Sequence, residues 1–530
     1  MFTSPYPDVD IPNVSIYDYL FAGLSDHELD GIALIDGTSG AETTYRALIS
    51  QVEGVAGALA ARDVDTDTVV ALLCPNSPAF AAVFHGILRA GATVTTINSL
   101  ATAEDIEKQL KDSKATWFMT VSPLLTGAKA AAAAIGLADD HLIVLDGADG
   151  HPSLRDLLAE AAPPPSVTFD PATHLAVLPY SSGTTGVPKG VMLSHRNLVA
   201  NVEQSRQLIT IESADRVLAF LPFFHIYGMT VLLNLAIKEH ATLVTMPKFD
   251  FVEFLRIMQD HRCTYVFIAP PVAVGLAKHP LVEQYDISRV RMIFSGAAPL
   301  DGALAQAVID RLGCQLKQGY GMTELSPVSH AVPQTNDDLP LDSVGFTIPN
   351  MECRLIDPET GEEIDLPTEG VSAPGELLCR GPNVMLGYLG NDEATRAIMT
   401  EDGFLRTGDI ATVSSEGVVT IVDRLKELIK YKGYQIAPAE LEALLLTHPA
   451  IADAAVIGIP GDEGQEVPKA FVVLQAGAEL DEAGVMDFVS EHVAPYKKVR
   501  RVQFTDAIPK SSAGKILRKD LRAAERVRQD

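Results

Sequence analysis

Short apolar runs alternate with helix-period segments from about Thr44 to Gly147. Thr68 to Leu73 reads as a buried strand, stopped by Cys74-Pro75-Asn76, and Pro78 to Arg89 reads as a helix. Further strands are expected at Ala92–Ile97, Trp117–Val121 and Leu142–Leu145, with plain helix over the alanine-rich run Ala128–Ala134. Alternation of this kind predicts parallel strands joined by crossover helices. Pro163-Pro164-Pro165 breaks the pattern and is read as a joint between two subdomains.

A second alternating region runs from about Leu175 to Gln318. Its strands are expected at Ala176–Leu178, Val217–Leu221, Leu243–Met246, Tyr265–Ile268 and Met292–Phe294. From about Ser343 to Val422, glycine, proline and short strands predominate, as in a small β-rich subdomain. The texture changes again at a basic segment, Arg424 to Tyr434, followed by a helix signal at Ala437–Leu446, two strands and another helix. The boundary is therefore placed after Asp423, dividing residues 1–423 from residues 424–530. No repeat of solenoid type is present.

A chain of 530 residues exceeds what one hydrophobic core supports, which agrees with two or more domains. The net charge of −28 repels phosphate backbones and anionic lipid, so nucleic acid and membrane are excluded as main partners. The five cysteines, Cys74, Cys263, Cys314, Cys353 and Cys379, form no CxxC pair. They point to reduced thiols in a cytoplasmic chain and argue against structural zinc. Met1 to Leu20 lacks the basic start and apolar run of a signal peptide, no stretch is apolar enough to span a bilayer, and Arg-Gln-Asp at the end is no peroxisomal address.

The most informative stretch is Tyr180-Ser181-Ser182-Gly183-Thr184-Thr185-Gly186-Val187-Pro188-Lys189-Gly190, between an apolar strand and a helix starting near His195. Glycines let backbone N–H groups converge on an anion, the four Ser/Thr hydroxyls add donors, and Lys189 adds charge. That suits the β- and γ-phosphates of ATP, although it is no Walker A loop.

This string resembles the signature of the adenylate-forming superfamily: acyl- and aryl-CoA ligases, peptide-synthetase adenylation domains and firefly luciferase. Further segments match in order. They are Leu221-Pro222-Phe223-Phe224-His225-Ile226-Tyr227-Gly228, Ser295-Gly296-Ala297-Ala298-Pro299-Leu300, Gln318-Gly319-Tyr320-Gly321-Met322-Thr323-Glu324, Arg406-Thr407-Gly408-Asp409, the run Val422 to Gln435, and Pro509-Lys510-Ser511-Ser512-Ala513-Gly514-Lys515. The resemblance covers nearly the whole chain and is strongest to 4-coumarate–CoA ligases. It implies an α/β fold: a large N-terminal domain of αβαβα layers with a β-barrel-like subdomain, plus a small mobile α+β C-terminal domain.

The resemblance also implies roles. Ser181, Ser182, Gly183, Thr184, Thr185 and Lys189 would hold the triphosphate, with Gln318 and Gly319 also at the nucleotide. Thr323 would meet the α-phosphate and Glu324 would hold Mg²⁺. Asp409, with Arg424, would accept from the ribose hydroxyls. Lys515 would stabilise adenylation, where charge spreads over phosphoryl oxygens during in-line attack. Lys426 would be the hinge about which the small domain swings, presenting Lys430, Lys432, Gly433 and Gln435 for thioester formation. Lys248 would meet the nucleotide end of coenzyme A. His225 would gate the acyl site; peptide-synthetase domains usually carry an aspartate there for a substrate ammonium, so amino-acid activation is disfavoured.

The acid slot expected by the same resemblance is lined by Tyr227, Thr230, Phe267, Phe294, Gly296, Ala297, Gly321, Pro327, Val328 and Ser329. Four of these depart from the usual plant pattern: Thr230 replaces asparagine, Phe267 methionine, Phe294 lysine and Ser329 leucine. The expected activity is ATP-dependent ligation of a phenylpropanoid-type aryl acid to coenzyme A through an acyl-adenylate. Alternatives are a medium- or long-chain fatty acyl-CoA ligase, a carrier-loading acyl-AMP ligase and a non-catalytic nucleotide-binding protein.

Overall fold

Val69–Leu73 is a central strand, paired in parallel with Thr93–Thr96 on one side and Trp117–Thr120 on the other. Its side chains are buried on both faces because crossover helices cover them, which is why the run is continuously apolar rather than alternating. Helix Pro78–Arg89 starts where Ser77 accepts a hydrogen bond from the Phe80 N–H and Pro78 occupies the first turn, where a missing N–H costs nothing.

The computed structural model describes residues 1–181, 188–431, 434–461, 466–511 and 514–529. The first sheet runs in the order Gly387–Tyr388, Lys189–Ser194, Leu175–Val177, Thr93–Thr96, Val69–Leu73, Trp117–Thr120 and Leu142–Val144. Two points differ from the sequence pattern. Leu175–Val177 belongs to this sheet, in parallel register with Val94, so the Pro163–Pro165 break separates no subdomains. Lys189–Ser194, which carried no clear strand signal, is a strand because it finds antiparallel partners on both sides, one of them some two hundred residues away in sequence.

The second sheet runs Phe346–Thr347, Val328–Ala331, Gln315–Gly321, Met292–Ser295, Tyr265–Ile268, Arg216–Ala219, Thr242–Thr245, Ile32–Asp36 and Glu42–Thr44. The run from Gln315–Gly321 to Ile32–Asp36 is parallel, and the flanking pairs are antiparallel. A third, antiparallel sheet combines Phe2–Thr3, Glu352–Ile356, Gly375–Arg380, Leu405–Val413 and Val419–Arg424, with Glu363–Ile364 alongside. One continuous apolar core joins these three sheets, from Phe2 to Val419.

The remaining chain has a core of its own, including Ile429, Leu441, Leu445, Ile451, Val472, Val485 and Val502. It contains the hairpin Ile429–Tyr431/Tyr434–Ile436, a three-stranded sheet (Ile451–Pro460, Glu466–Leu474, Arg501–Phe504) and helices Pro438–Thr447, Glu482–His492 and Arg518–Gln529. Between the two cores lies a small cluster of Ile410, Leu428 and Ala437. The architecture is α/β, with the antiparallel unit and the small α+β unit appended. No helix among the described residues is long and apolar enough to cross a membrane.

Candidate active site

Strands Tyr265–Ile268, Met292–Ser295 and Gln315–Gly321 are parallel neighbours, so their carboxyl ends open on one side, where crevices form in sheets of this kind. Register places Phe267 beside Phe294, with ring centroids 5.7 Å apart. Tyr227 meets Phe267 edge-on at 6.3 Å and donates through its hydroxyl to the Phe294 carbonyl at 3.4 Å. It opens a π-helix, Tyr227–Asn234, a widened turn found mostly at functional sites. Burial pushes the Tyr227 phenol well above its usual range, so it stays protonated. A Cβ on Gly296 would lie 3.0 Å from the Tyr227 Cζ and hydroxyl, and one on Gly319 would lie 2.8 Å from Phe294 Cε1. Both glycines therefore make room for aromatic rings.

The other expected slot residues divide. Thr230 is buried one turn beyond Tyr227, and its hydroxyl has no hydrogen-bond partner among the described residues. Ala297 is exposed and held at φ +70°, a left-handed conformation disfavoured for a residue with a Cβ. Gly321 is required by the backbone itself, because a Cβ there would meet the Pro327 carbonyl oxygen at 2.2 Å. Pro327 and Val328 are buried beside it. Ser329 is fully buried, with its hydroxyl 3.0 Å from His330 Nδ1. It belongs to a network behind Tyr320 that also includes His330, Thr347 and Cys353.

On the phosphate side, Tyr180–Ser181 pairs with Lys189–Gly190 and clamps the two ends of the hydroxyl-rich loop. Ser182, Gly183, Thr184 and Thr185 lie outside the described residues. The Ser181 hydroxyl donates to Glu324 Oε1 at 3.1 Å, and the Tyr388 hydroxyl donates to the same oxygen at 2.8 Å. The Lys189 ammonium sits 4.9 Å above the Tyr388 ring, a cation–π contact. Thr323 opens the short 3-10 turn that carries Glu324. Tyr388 escaped the sequence reading. It is a lone tyrosine between Gly387 and Leu389, brought here because Gly387–Tyr388 pairs with the strand that begins at Lys189.

Asp409 and Arg424 face each other across neighbouring strands, with Arg424 Nε 3.5 Å from Asp409 Oδ1. The other Asp409 oxygen accepts from the Tyr320 hydroxyl at 2.5 Å, a contact between residues of two separate motifs that neither motif signals. Lys515 arrives from the C-terminal unit on the loop Ser511–Lys515, closed by the Ser511 N–H donating to the Lys515 carbonyl at 2.8 Å. Burial brings its ammonium down to about 8; the Arg424 charge adds to this and Asp409 opposes it. Lys515 in turn acts on His225, whose pKa falls to about 4 through burial and that neighbouring charge, so the imidazole is neutral at pH 7. His225 Nδ1 accepts from the Tyr227 N–H at 3.2 Å, tying the lysine side of the site to the aromatic slot. Gln318 holds this frame from beneath: both of its amide donors are used on the carbonyls of Leu300 and Leu341.

Other expected residues are not gathered here. Lys430 is exposed, and its N–H donates to Glu466 Oε2 at 3.0 Å within the C-terminal unit. Gln435 is exposed and reaches Glu359 at 3.4 Å. Lys426 and Lys248 are exposed, and Lys432 and Gly433 lie outside the described residues.

The AMP-binding enzyme model matches residues 24–389, and the model of the AMP-binding enzyme C-terminal domain matches residues 440–515. The chain belongs to the AMP-binding enzyme family. Within the family, it is 40% identical to 4-coumarate–CoA ligase 5 of Oryza sativa subsp. japonica, over 99% of this chain and 97% of that protein. It is likewise 40% identical to 4-coumarate–CoA ligase 2 of Petroselinum crispum, over 99% and 96%. Among solved members, the anthranilate CoA ligase AuaEII in complex with anthranoyl-AMP superposes with a TM-score of 0.89 at 26% identity, covering 97% of this chain and 98% of that one. ATP-bound MatB from Rhodopseudomonas palustris superposes at 0.86 with 29% identity, covering 97% and 99%.

Proposed function

We propose that this family member is an ATP-dependent acid–CoA ligase that acts through an acyl-adenylate on aryl acids of the 4-coumarate and cinnamate type. The observation that carries the reading is the convergence of Lys515 on Asp409, Arg424 and His225, at the mouth of an aromatic slot. In the first step a carboxylate oxygen bonds to the α-phosphorus of ATP, and the bond to the bridging oxygen breaks to release pyrophosphate. Lys515 places positive charge where the transition state spreads negative charge, and Asp409 with Tyr320 orients the ribose. In the second step the thiol of coenzyme A gives up its proton to solvent, its sulfur bonds to the acyl carbon, and AMP leaves with the bonding pair. Ser181, Ser182, Gly183, Thr184, Thr185 and Lys189 are the proposed triphosphate ligands, with Thr323 at the α-phosphate.

Glu324 suits Mg²⁺. Among the described residues, both of its hydrogen bonds fall on Oε1, and Mg²⁺ is commonly held by one or two carboxylates together with substrate phosphates. When bound, the ion neutralises charge on phosphate oxygens. We place the domain boundary after Asp423, the hinge at Lys426, and the thioester-forming face at Lys430, Lys432, Gly433 and Gln435, with Lys248 toward the nucleotide end of coenzyme A. The compartment we propose is the cytosol, on the strength of five buried cysteines, all free.

The aryl assignment is supported by the Tyr227–Phe267–Phe294 wall and by the buried Thr230 hydroxyl, which offers a partner to a ring hydroxyl. Phe267 is stiffer than methionine and should resist ring methoxy groups. Cinnamate and 4-coumarate should therefore be good substrates, ferulate poorer and sinapate very poor, each ill-fitting group costing about 1–3 kcal/mol. Acid- and CoA-dependent AMP release across a panel of carboxylic acids tests this. Octanoate or decanoate exceeding every cinnamate by about tenfold in kcat/KM, a difference of one full methylene-scale contact or more, would replace the aryl reading with the fatty-acyl one.

A further inference from the structure

Helix Pro270–Lys278 follows directly from the slot strand Tyr265–Ile268 and touches the C-terminal unit at both of its ends. At its start, a Cβ on Gly514 would lie 3.2 Å from Ala269 Cβ and 3.6 Å from Pro271, so the loop carrying Lys515 rests against the first turn. At its end, Lys278 Nζ donates to the Leu446 carbonyl at 2.6 Å. Leu446 lies in the last turn of helix Pro438–Thr447, which has no basic residue of its own there. A helix C-terminus carries unpaired carbonyls and partial negative charge, and a cation placed on it is stabilising.

Lys278 is not needed for its own helix. Arg311 already donates to the Leu276 carbonyl at 3.2 Å and the His279 carbonyl at 2.9 Å. The Lys278 ammonium is half-buried and is directed at the other unit instead. The two contacts are separated by the length of a nine-residue helix, about 13 Å at 1.5 Å per residue. Contact at both ends of the helix, added to the Gln435–Glu359 hydrogen bond and the Ile410, Leu428 and Ala437 cluster, restrains the orientation of the C-terminal unit and with it the place of Lys515.

We propose that Lys278 is a positioning residue for adenylation, gripping the end of helix Pro438–Thr447 so that the C-terminal unit holds Lys515 at the reacting phosphate. The proposal rests on the two-step ligase reading. The grip belongs to the arrangement in which Lys515 faces the site, and presenting Lys430 instead requires that it be released.

The test uses the full chain and separates the half-reactions. Adenylation is read as acid-dependent ATP–pyrophosphate exchange, and thioester formation as conversion of supplied acyl-adenylate with coenzyme A. Lys278→Met keeps the aliphatic stem and removes the charge. It should lower the exchange kcat about 5- to 20-fold, the range for losing a charge-assisted hydrogen bond at a helix end, with KM for ATP little changed. Thioester formation should be unchanged or faster, and Lys278→Arg, which can still donate to the carbonyl, should restore most of the exchange rate. An unchanged exchange rate in Lys278→Met would overturn the proposal, as would equal losses in both half-reactions. If the wild-type protein shows no acid-dependent exchange, the ligase reading itself fails, and that result is visible before any variant is made.

Discussion

Raising the pH should switch off adenylation through Lys515 before it affects anything else at the site. The ammonium titrates at about 8 in the folded protein against 10.5 for a free lysine. That gap, at about 1.4 kcal/mol per pH unit, is worth about 3 kcal/mol against the charged form, and about 2 kcal/mol once solvent reaching the partly exposed side chain is allowed for. Because the folded pKa lies below the unfolded one, the cost is fully present below pH 8 and fades as the pH rises toward 10.5. Catalysis runs the other way, since only the ammonium can stabilise phosphoryl oxygens. The kcat/KM for acid-dependent ATP–pyrophosphate exchange should therefore fall about tenfold per pH unit above about 8. Bound triphosphate favours the charged form, so the corresponding fall in kcat should be displaced to higher pH. Cinnamate is the acid to use, because it has no ring hydroxyl to titrate in this range. Lys515→Arg, whose guanidinium keeps its proton, should be slower but flat to pH 10. A descending limb near pH 8 that survives in Lys515→Arg would refute the assignment, as would a flat wild-type profile. His225, at about 4, is neutral throughout and contributes no limb in this range.

Four further outcomes are expected, two from the site geometry and two from the proposed roles of the C-terminal lysines. Lys515→Ala should lower exchange by about a hundredfold or more yet still convert supplied acyl-adenylate, and Lys430→Ala should do the reverse; equal impairment of both steps by both variants would contradict the two-face account. Tyr388→Phe removes one donor from Glu324, worth about 1–3 kcal/mol to a charged acceptor, and should raise the Mg·ATP requirement of exchange; an unaltered Mg·ATP titration would count against Glu324 as the metal ligand. Gly296→Ala puts a methyl 3.0 Å from the Tyr227 ring and should cut kcat/KM for aryl acids about tenfold or more, while the melting temperature stays within a few degrees; unchanged aryl kinetics would remove Gly296 from the slot. Lys426→Pro fixes φ at the proposed hinge, so exchange should survive while thioester formation drops; a wild-type rate of overall ligation would place the hinge elsewhere.

The sequence by itself determined the chemistry-bearing strings and most of the regular elements. A buried parallel strand and its crossover helix are local in pattern, so Pro78–Arg89 and Tyr265–Ile268 were legible from their own residues. Glu324, Asp409 and Lys515 stand out in the sequence because each sits in an ordered string of unusual composition. Only the tertiary structure decided which sheet each strand joined, since register depends on partners far along the chain: Ile32–Asp36 pairs with Thr242–Thr245, and Leu175–Val177 crosses the proline break to lie beside Thr93–Thr96. Pairing of that kind also delivered Tyr388 to Glu324, a contact of which Tyr388 carries no local signal. Lys278 is the clearest case. As a lysine in the last turn of a helix it reads as an ordinary cap, and only the packing of two separate cores shows that the helix it caps is another one.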